Sequence, residues 1–223
     1  LRAPLPVDET RYLTVAWEMW SSGHFAVPTL NGEPYDHKPP LLFWLIHLGW
    51  ALGGVGDAWP RLLAPLGLLV AMLGLRRLGV QLWPDHPQAG ALAGLMLMAT
   101  WFVALFQTVV MFDLPLLACV AWGWVAVVGI ARNGRLRDWL LFGACVGIGS
   151  LTKGPVVLVY LLPALLAMRC LGTCAVVRPA HVFAGLAVAL LLPACWLAAV
   201  AVEAGVDFLA RVVVDQASRR ISG

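Results

Sequence analysis

A polytopic all-α bundle of about six membrane spans is predicted by three features of this 223-residue chain. Apolar residues make up 61% of it and charged residues 12%. The mean hydropathy is +0.85, and several apolar runs approach the roughly 20 residues that a spanning helix needs. That balance excludes an ordinary soluble domain. The net charge of +3 is a weak sign of an anionic partner, because the basic residues cluster in short loops and read as topology markers. No nucleic-acid partner is expected. Of the eleven tryptophans, Trp44, Trp50, Trp59, Trp83, Trp101 and Trp139 stand near the ends of apolar runs, where amphipathic rings favour the headgroup layer.

The first unit, residues 1–58, is a polar loop with juxtamembrane helices. Asp8 and Glu9 precede a helix expected over Thr10 to Ser22, whose first turn favours acids. "NGEPYDHKPP" reads as an Asn-Gly turn followed by an extended proline segment that holds Tyr35 and Lys38 against the membrane. The stretch from Leu41 to Gly56 is apolar but short, contains His47 and ends in glycines, so an interfacial helix is expected. Were it to cross, Asp8, Glu9 and Lys38 would be parted from Asp113 and Lys153.

The second unit, residues 59–203, is the transmembrane module. Its spans are expected from Trp59 to Gly79, Ala89 to Phe112, Leu114 to Ala131, Trp139 to Thr152, Pro155 to Met168 and His181 to Val202. Gly154 and Pro155 make a surface turn that spares Lys153 a mid-membrane position. With six spans the loops holding Arg76 and Arg77, then Arg132, Arg135 and Arg137, then Arg169 and Arg178 fall on one side, which the positive-inside rule makes cytoplasmic. Asp113, Lys153, Glu203, Asp207 and Asp215 fall on the other. Residues 204–223 begin a further loop on that outer side. The chain opens on Leu1 without a hydrophobic anchor and stops inside a polar segment, so it is expected to be truncated at both ends.

Cys119, Cys145, Cys170, Cys174 and Cys195 form no disulfide framework, and no second pair follows Cys170 and Cys174 at zinc-site spacing. His37 and His47 read as interface histidines rather than ligands. No metal site is assigned, and a divalent metal is left open as a cofactor.

The outer face gathers Asp8, Glu9, Arg11, Tyr12, Asp36, His37, Lys38, Asp113, Lys153 and Asp215, a set of opposite charges suited to a polar group presented by a lipid. The plain alternatives are an N-cap for Asp113 and a snorkelling helix-end residue for Lys153. In "DETRY", Asp8 and Arg11 are three apart, as are Glu9 and Tyr12, so they share neighbouring helix faces. A carboxylate beside a guanidinium serves one acceptor and one anionic donor. Lys38 adds a point charge for phosphate.

At these residues the chain resembles bacterial integral-membrane glycosyltransferases of the GT-C superfamily, the branch of the lipid A aminoarabinose transferases and the related protein O-mannosyltransferases. The resemblance is carried in order by "DETRY", "EMWSSGHFAVPTLNGEPYDHKPPLLFWL", "FDLPL", "GIGSLTKGP" and "FLARVVVDQASRRISG". It implies an inverting enzyme of the bacterial inner membrane whose site faces the periplasm. The implied partners are a polyprenyl-phosphate-linked sugar donor, a lipid, glycan or protein acceptor, and membrane lipids. Asp8 falls on the family's first-loop carboxylate and Asp113 on its second functional acid, with Glu9 beside the first as a third catalytic candidate. Arg11, Lys38 and Lys153 fall on positions associated with the donor phosphate. Tyr12 and Tyr35 match tyrosines lining that region, with Asp215 and Gln216 as further lining candidates. Two departures leave the sugar open: His37 stands where an acid commonly precedes the lysine, and Asp215-Gln216 where an acid-His pair is usual. A transporter or flippase of polyprenyl-linked lipids is the rival reading, and it predicts ionisable residues near mid-span. A non-catalytic scaffold predicts no dependence on Asp8 or Lys38.

Overall fold

The computed structural model describes residues 8–170, 178–205 and 208. Asp215 and Gln216 lie outside these. In chain order the elements are α1 (Asp8–Ser22), β1 (Thr29–Leu30), β2 (Glu33–Pro34), α2 (Leu41–Gly53), α3 (Ala58–Leu82), α4 (Ala89–Met98), α5 (Trp101–Phe106), α6 (Asp113–Asn133), α7 (Leu136–Lys153), α8 (Val156–Cys170) and α9 (Pro179–Ala204).

Among the described residues α3, α6 and α9 are long and apolar enough to cross a membrane. Helix α6 is apolar on all sides and packs on α3, α7 and α8, which makes it the buried centre. Helix α9 exposes most of its apolar surface and meets α7 backbone to backbone. A Cβ added at Gly143 would lie 2.1 Å from the Gly185 carbonyl oxygen, so only glycine permits this crossing.

The expected span from Ala89 to Phe112 is not one helix. It divides into α4 and α5, and Thr100 between them is extended, with φ −66° and ψ 138°. The Thr100 hydroxyl donates to the Leu97 carbonyl at 2.7 Å, a local bond that competes with helix continuation. Ten residues of α4 rise only about 15 Å. The chain then reaches Asp113 through an irregular segment. The two arms around "LTKGP" are the separate helices α7 and α8, joined at Gly154 with φ +72°.

Helices α1 and α2 form a second layer. Tyr12, Val15, Ala16 and Met19 repeat at helical spacing and pack against Leu42, Phe43 and Ile46 of α2. At 13 residues α2 is too short to cross. Asn31 (φ 56°) and Gly32 (φ 79°) turn the two-stranded ribbon, in which Thr29 pairs with Pro34 and Leu30 with Glu33. The Glu18 carboxylate of α1 accepts the Asn31 and Gly32 N–H groups at 2.6 and 3.1 Å, fixing the turn to the helix.

The tryptophans do not share one job, and Trp139, expected at the headgroup layer, is buried. Trp83 and Trp101 are exposed, as a headgroup-layer ring requires. Trp44, Trp59 and Trp196 are instead pins inside the fold, donating to the carbonyls of Phe25 (2.7 Å), Leu45 (2.8 Å) and Ala26 (2.9 Å). Trp50 likewise donates to Gly56 at 2.9 Å.

His47 lies buried among Trp20, Phe25 and Trp50. Its Nε2–H donates to the Ala16 carbonyl at 2.9 Å, and Nδ1 is buried with no hydrogen-bond partner. Desolvation therefore lowers its pKa from the ordinary 6.5, against a smaller opposing effect of the Ala16 carbonyl. The unfolded chain takes up this proton first as pH falls. Stability should thus be level above about pH 6.5 and decline from there toward the depressed folded value. Thermal unfolding of the detergent-solubilised protein across that window is expected to lose this dependence in His47→Gln; an identical slope in both proteins would refute the assignment.

Candidate functional site

One end of the bundle collects the polar residues singled out from the sequence. Helix α1 presents Asp8 exposed and Arg11 half-buried, with their charged groups 3.6 Å apart one turn from each other. The segment after the hairpin supplies Tyr35, Asp36, His37 and Lys38, its backbone held by the Tyr35 N–H donating to Pro28 at 2.7 Å. From the membrane helices come Asp113, in the first turn of α6, and Lys153, in the last turn of α7. Lys153 Nζ donates to Asp113 Oδ1 at 2.6 Å. Asp113 is not the N-cap of α6: that position is Phe112, with no side-chain cap bond. The lysine, not the helix start, engages the carboxylate.

Phe112 joins these parts. Its ring meets Tyr12 edge-on at 4.9 Å and Phe43 at 5.8 Å, and Lys38 Nζ lies 5.8 Å from its centroid. One buried ring therefore sets the spacing between α1, α2, the lysine segment and Asp113. Burial pushes the Tyr12 hydroxyl well above its ordinary range, and the charge of Asp8 adds to the effect. Burial also raises Tyr35, against the neighbouring Arg11 guanidinium. Both phenols stay protonated at neutral pH and can donate to an anion. Beside them a polar hollow of ≈ 330 Å³ is lined by Arg11, Glu33, Tyr35, Asp36 and His37.

Glu9 has a different place from its neighbour. It is 1% exposed, lies 3.5 Å from Arg61 Nε of α3, and accepts the Val110 N–H at 3.4 Å. Its carboxylate is thus engaged inside the fold, whereas Asp8 beside it is exposed. Arg61, itself buried, was not singled out by sequence reading; an arginine in the first turn of an apolar span was the available signal. Glu18 and Glu33 were missed as well, because neither belongs to a motif with its partners.

An apolar cavity of ≈ 480 Å³ runs between α2, α3, α6 and α7. Pro115 and Thr152 line it, two residues along α6 from Asp113 and one residue along α7 from Lys153, while the ion pair itself is not in the lining. Among the described residues no three His, Cys, Asp or Glu side chains are grouped to hold a metal ion.

Residues 37–198 match the family described as dolichyl-phosphate-mannose-protein mannosyltransferase. The chain belongs to this family. Among curated proteins it is similar to the undecaprenyl phosphate-alpha-4-amino-4-deoxy-L-arabinose arabinosyl transferase of Pseudomonas savastanoi pv. phaseolicola, 32% identical over 169 residues, covering 72% of this chain and 30% of the relative. The Pseudomonas aeruginosa (strain UCBPP-PA14) protein of the same name is 32% identical over 168 residues, with the same coverage of 72% and 30%. A crystal structure of ArnT from Cupriavidus metallidurans bound to undecaprenyl phosphate superposes with a TM-score of 0.80 at 22% identity, over 97% of this chain and 40% of that one. Its apo form gives 0.72 at 25% identity, over 93% and 40%. The chain thus spans about 30% of the curated relatives' length.

In this mannosyltransferase-family chain, His37 is exposed and its Nδ1 lies 3.8 Å from Asp36 Oδ1, so an acid does stand near Lys38, one position earlier than the aminoarabinose pattern has it.

The two ion pairs should respond differently to substitution. Glu9→Gln leaves the Arg61 charge buried and is expected to cost about 3 kcal/mol, read as earlier unfolding, while the double variant Glu9→Leu with Arg61→Met recovers most of it. Equal stability of Glu9→Gln and wild type would count against the pair. Asp113 and Lys153 are each about one-third exposed, so water screens them, and a double-mutant cycle of Asp113→Asn and Lys153→Met should give a coupling of about 1 kcal/mol or less.

Proposed function

We propose that this chain forms the donor-site portion of an inverting membrane glycosyltransferase, which moves a sugar from a polyprenyl-phosphate donor to a lipid, glycan or protein acceptor. The observation that carries this is the Asp113–Lys153 pair, which lies two and one residues along α6 and α7 from Pro115 and Thr152 in the lining of the ≈ 480 Å³ apolar cavity. An ionic headgroup on an apolar chain is the ligand such a pairing suits. Leu48, Leu66 and Val70 of the cavity lining are exposed, which offers a prenyl chain a lateral approach. The name of the undecaprenyl phosphate-bound relative and those of the arabinosyl transferases support the same donor class. The basic loops at the other end support an inner-membrane orientation with this site toward the periplasm.

In this reading the acceptor oxygen attacks the anomeric carbon as the bond to the donor phosphate breaks, and the lipid phosphate leaves with its electron pair. Asp8, exposed beside Arg11, takes the proton of an acceptor hydroxyl or positions an acceptor already ionised. Arg11, Lys38 and Lys153 stabilise the charge that develops on the phosphate, a contribution that usually dominates such reactions. Tyr12 and Tyr35, held protonated by burial, donate to the same oxygens. Chelator titration of turnover reads out any added contribution of a divalent cation.

Label transfer from polyprenyl-phosphate sugars by the full-length protein in nanodiscs tests the proposal. Asp8→Asn is expected to lower transfer by about 10²- to 10⁴-fold with donor binding retained. Lys38→Ala should weaken donor binding first. Transfer at the wild-type rate by Asp8→Asn would overturn the role of that carboxylate, and its absence from wild type with every donor would overturn the transferase reading.

A further inference from the structure

At the opposite end of the bundle, roughly 30 Å away along the 21 residues of α6, two arginines are already engaged. Arg132 donates to the Gln81 carbonyl at the end of α3. Arg137 Nε stands 3.7 Å from Asp138. Between the α6–α7 turn and the start of α9 lies a cleft of ≈ 630 Å³, lined by Asn133, Gly134, Arg135, Leu136, Arg178 and His181. Among the described residues no carboxylate lines it, although Asp138 stands in the first turn of α7. Among the described residues Arg135 and Arg178 form no ion pair, and the sequence from 171 to 177 that leads into Arg178 contains no acid.

The walls of this cleft are fixed. Gly134 ends α6 in the left-handed region at φ +58°, and its carbonyl accepts the His181 Nδ1–H at 3.0 Å, tying α9 to the turn. Helices α7 and α9 both begin here, after Arg135 and Arg178, in extended N-cap conformations without a side-chain cap bond. Their first-turn N–H groups add positive potential to that of the two guanidiniums. Planar guanidiniums match phosphate oxygens in pairs. Along α9, beyond His181, Phe183, Leu186 and Leu190 are exposed and apolar, so a ligand held here by its charge also finds a surface for acyl chains.

We infer that this cleft binds the phosphate of an anionic phospholipid headgroup, with the acyl chains along the exposed face of α9. The site is separate from the proposed donor site and does not depend on the transferase reading. Basic pockets between membrane helices are established places for such headgroups.

The test is equilibrium binding of phosphatidylglycerol and cardiolipin to the full-length protein in detergent, read by native mass spectrometry, with phosphatidylethanolamine and inorganic phosphate as comparison ligands. Arg135→Gln with Arg178→Gln should weaken anionic-lipid binding about 30-fold, at about fivefold for each basic residue, and leave phosphatidylethanolamine binding unchanged. Arg76→Gln with Arg77→Gln, on the same face but outside the cleft, should change it little. Restoring charge with Arg135→Lys and Arg178→Lys should recover part of the affinity. Three results would overturn the inference: no loss in the cleft variant, an equal loss in the Arg76/Arg77 variant, or inorganic phosphate binding as tightly as the lipids.

Discussion

A buried carboxylate-guanidinium contact fastens the site to the membrane bundle. Glu9, on the first turn of α1, reaches Arg61 on the first turn of α3 and the Val110 N–H just ahead of α6. Three segments far apart in sequence therefore share one point. A well-packed apolar pair could fill the same space at equal or better stability, so what the charged pair adds is direction. It fixes how α1 is seated over α3 and α6, and with that where Asp8 and Arg11, on the turn beside it, face the polar surface. Phe112 continues the fastening outward: Tyr12, Phe43 and Lys38 all meet its ring, and Asp113 is the next residue. The functional groups are thus carried on packed aromatics rather than on a free loop.

The polar hairpin region obeys the same economy. A stretch of this length over a bilayer surface would lose its conformation to entropy unless its backbone groups were paired. Glu18 pairs two N–H groups of the turn, and Trp44 and Trp196 reach up from α2 and α9 to carbonyls of the preceding segment. Lys38 is positioned because the ribbon before it is held at both ends.

Much of this was legible in the sequence where a local rule decides the outcome. The Asn31-Gly32 turn, the break at Gly154-Pro155 and the shortness of α2 follow from turn chemistry and helix length. The grouping of Asp113 with Lys153 followed from counting spans and basic loops, and the 2.6 Å contact between them shows the two at one end of the bundle. The α4–α5 break was not legible, because the residues from Ala89 to Phe106 are uniformly apolar and a single threonine gives no periodic signal. Glu9 was grouped with Asp8 because adjacent acids look alike in a string. Adjacent helix positions point about 100° apart, and only the packed structure tells which of the two faces the interior. Arg61 was invisible for the complementary reason: its partner is fifty-two positions away. Trp44, Trp50 and Trp59 read as interface anchors since a ring near a span end has that default role, yet their indole N–H groups are used on backbone carbonyls.

The fold leaves the two ends of the bundle with opposite electrostatic designs. At the Asp8 end three cations have an acid within reach: Arg11 beside Asp8, Lys153 on Asp113, Arg61 on Glu9. An anion that engages Arg11 or Lys153 there exchanges with a carboxylate, which suits a ligand that must arrive and leave. At the Arg135 and Arg178 end the cleft carries cationic groups with, among the described residues, no carboxylate in its lining. An anion there meets no carboxylate of that lining, which suits a resident ligand. Between them α6 is apolar and largely buried over its length. On the two proposals, turnover chemistry and lipid binding fall at opposite ends of this helix, whose first residue is Asp113.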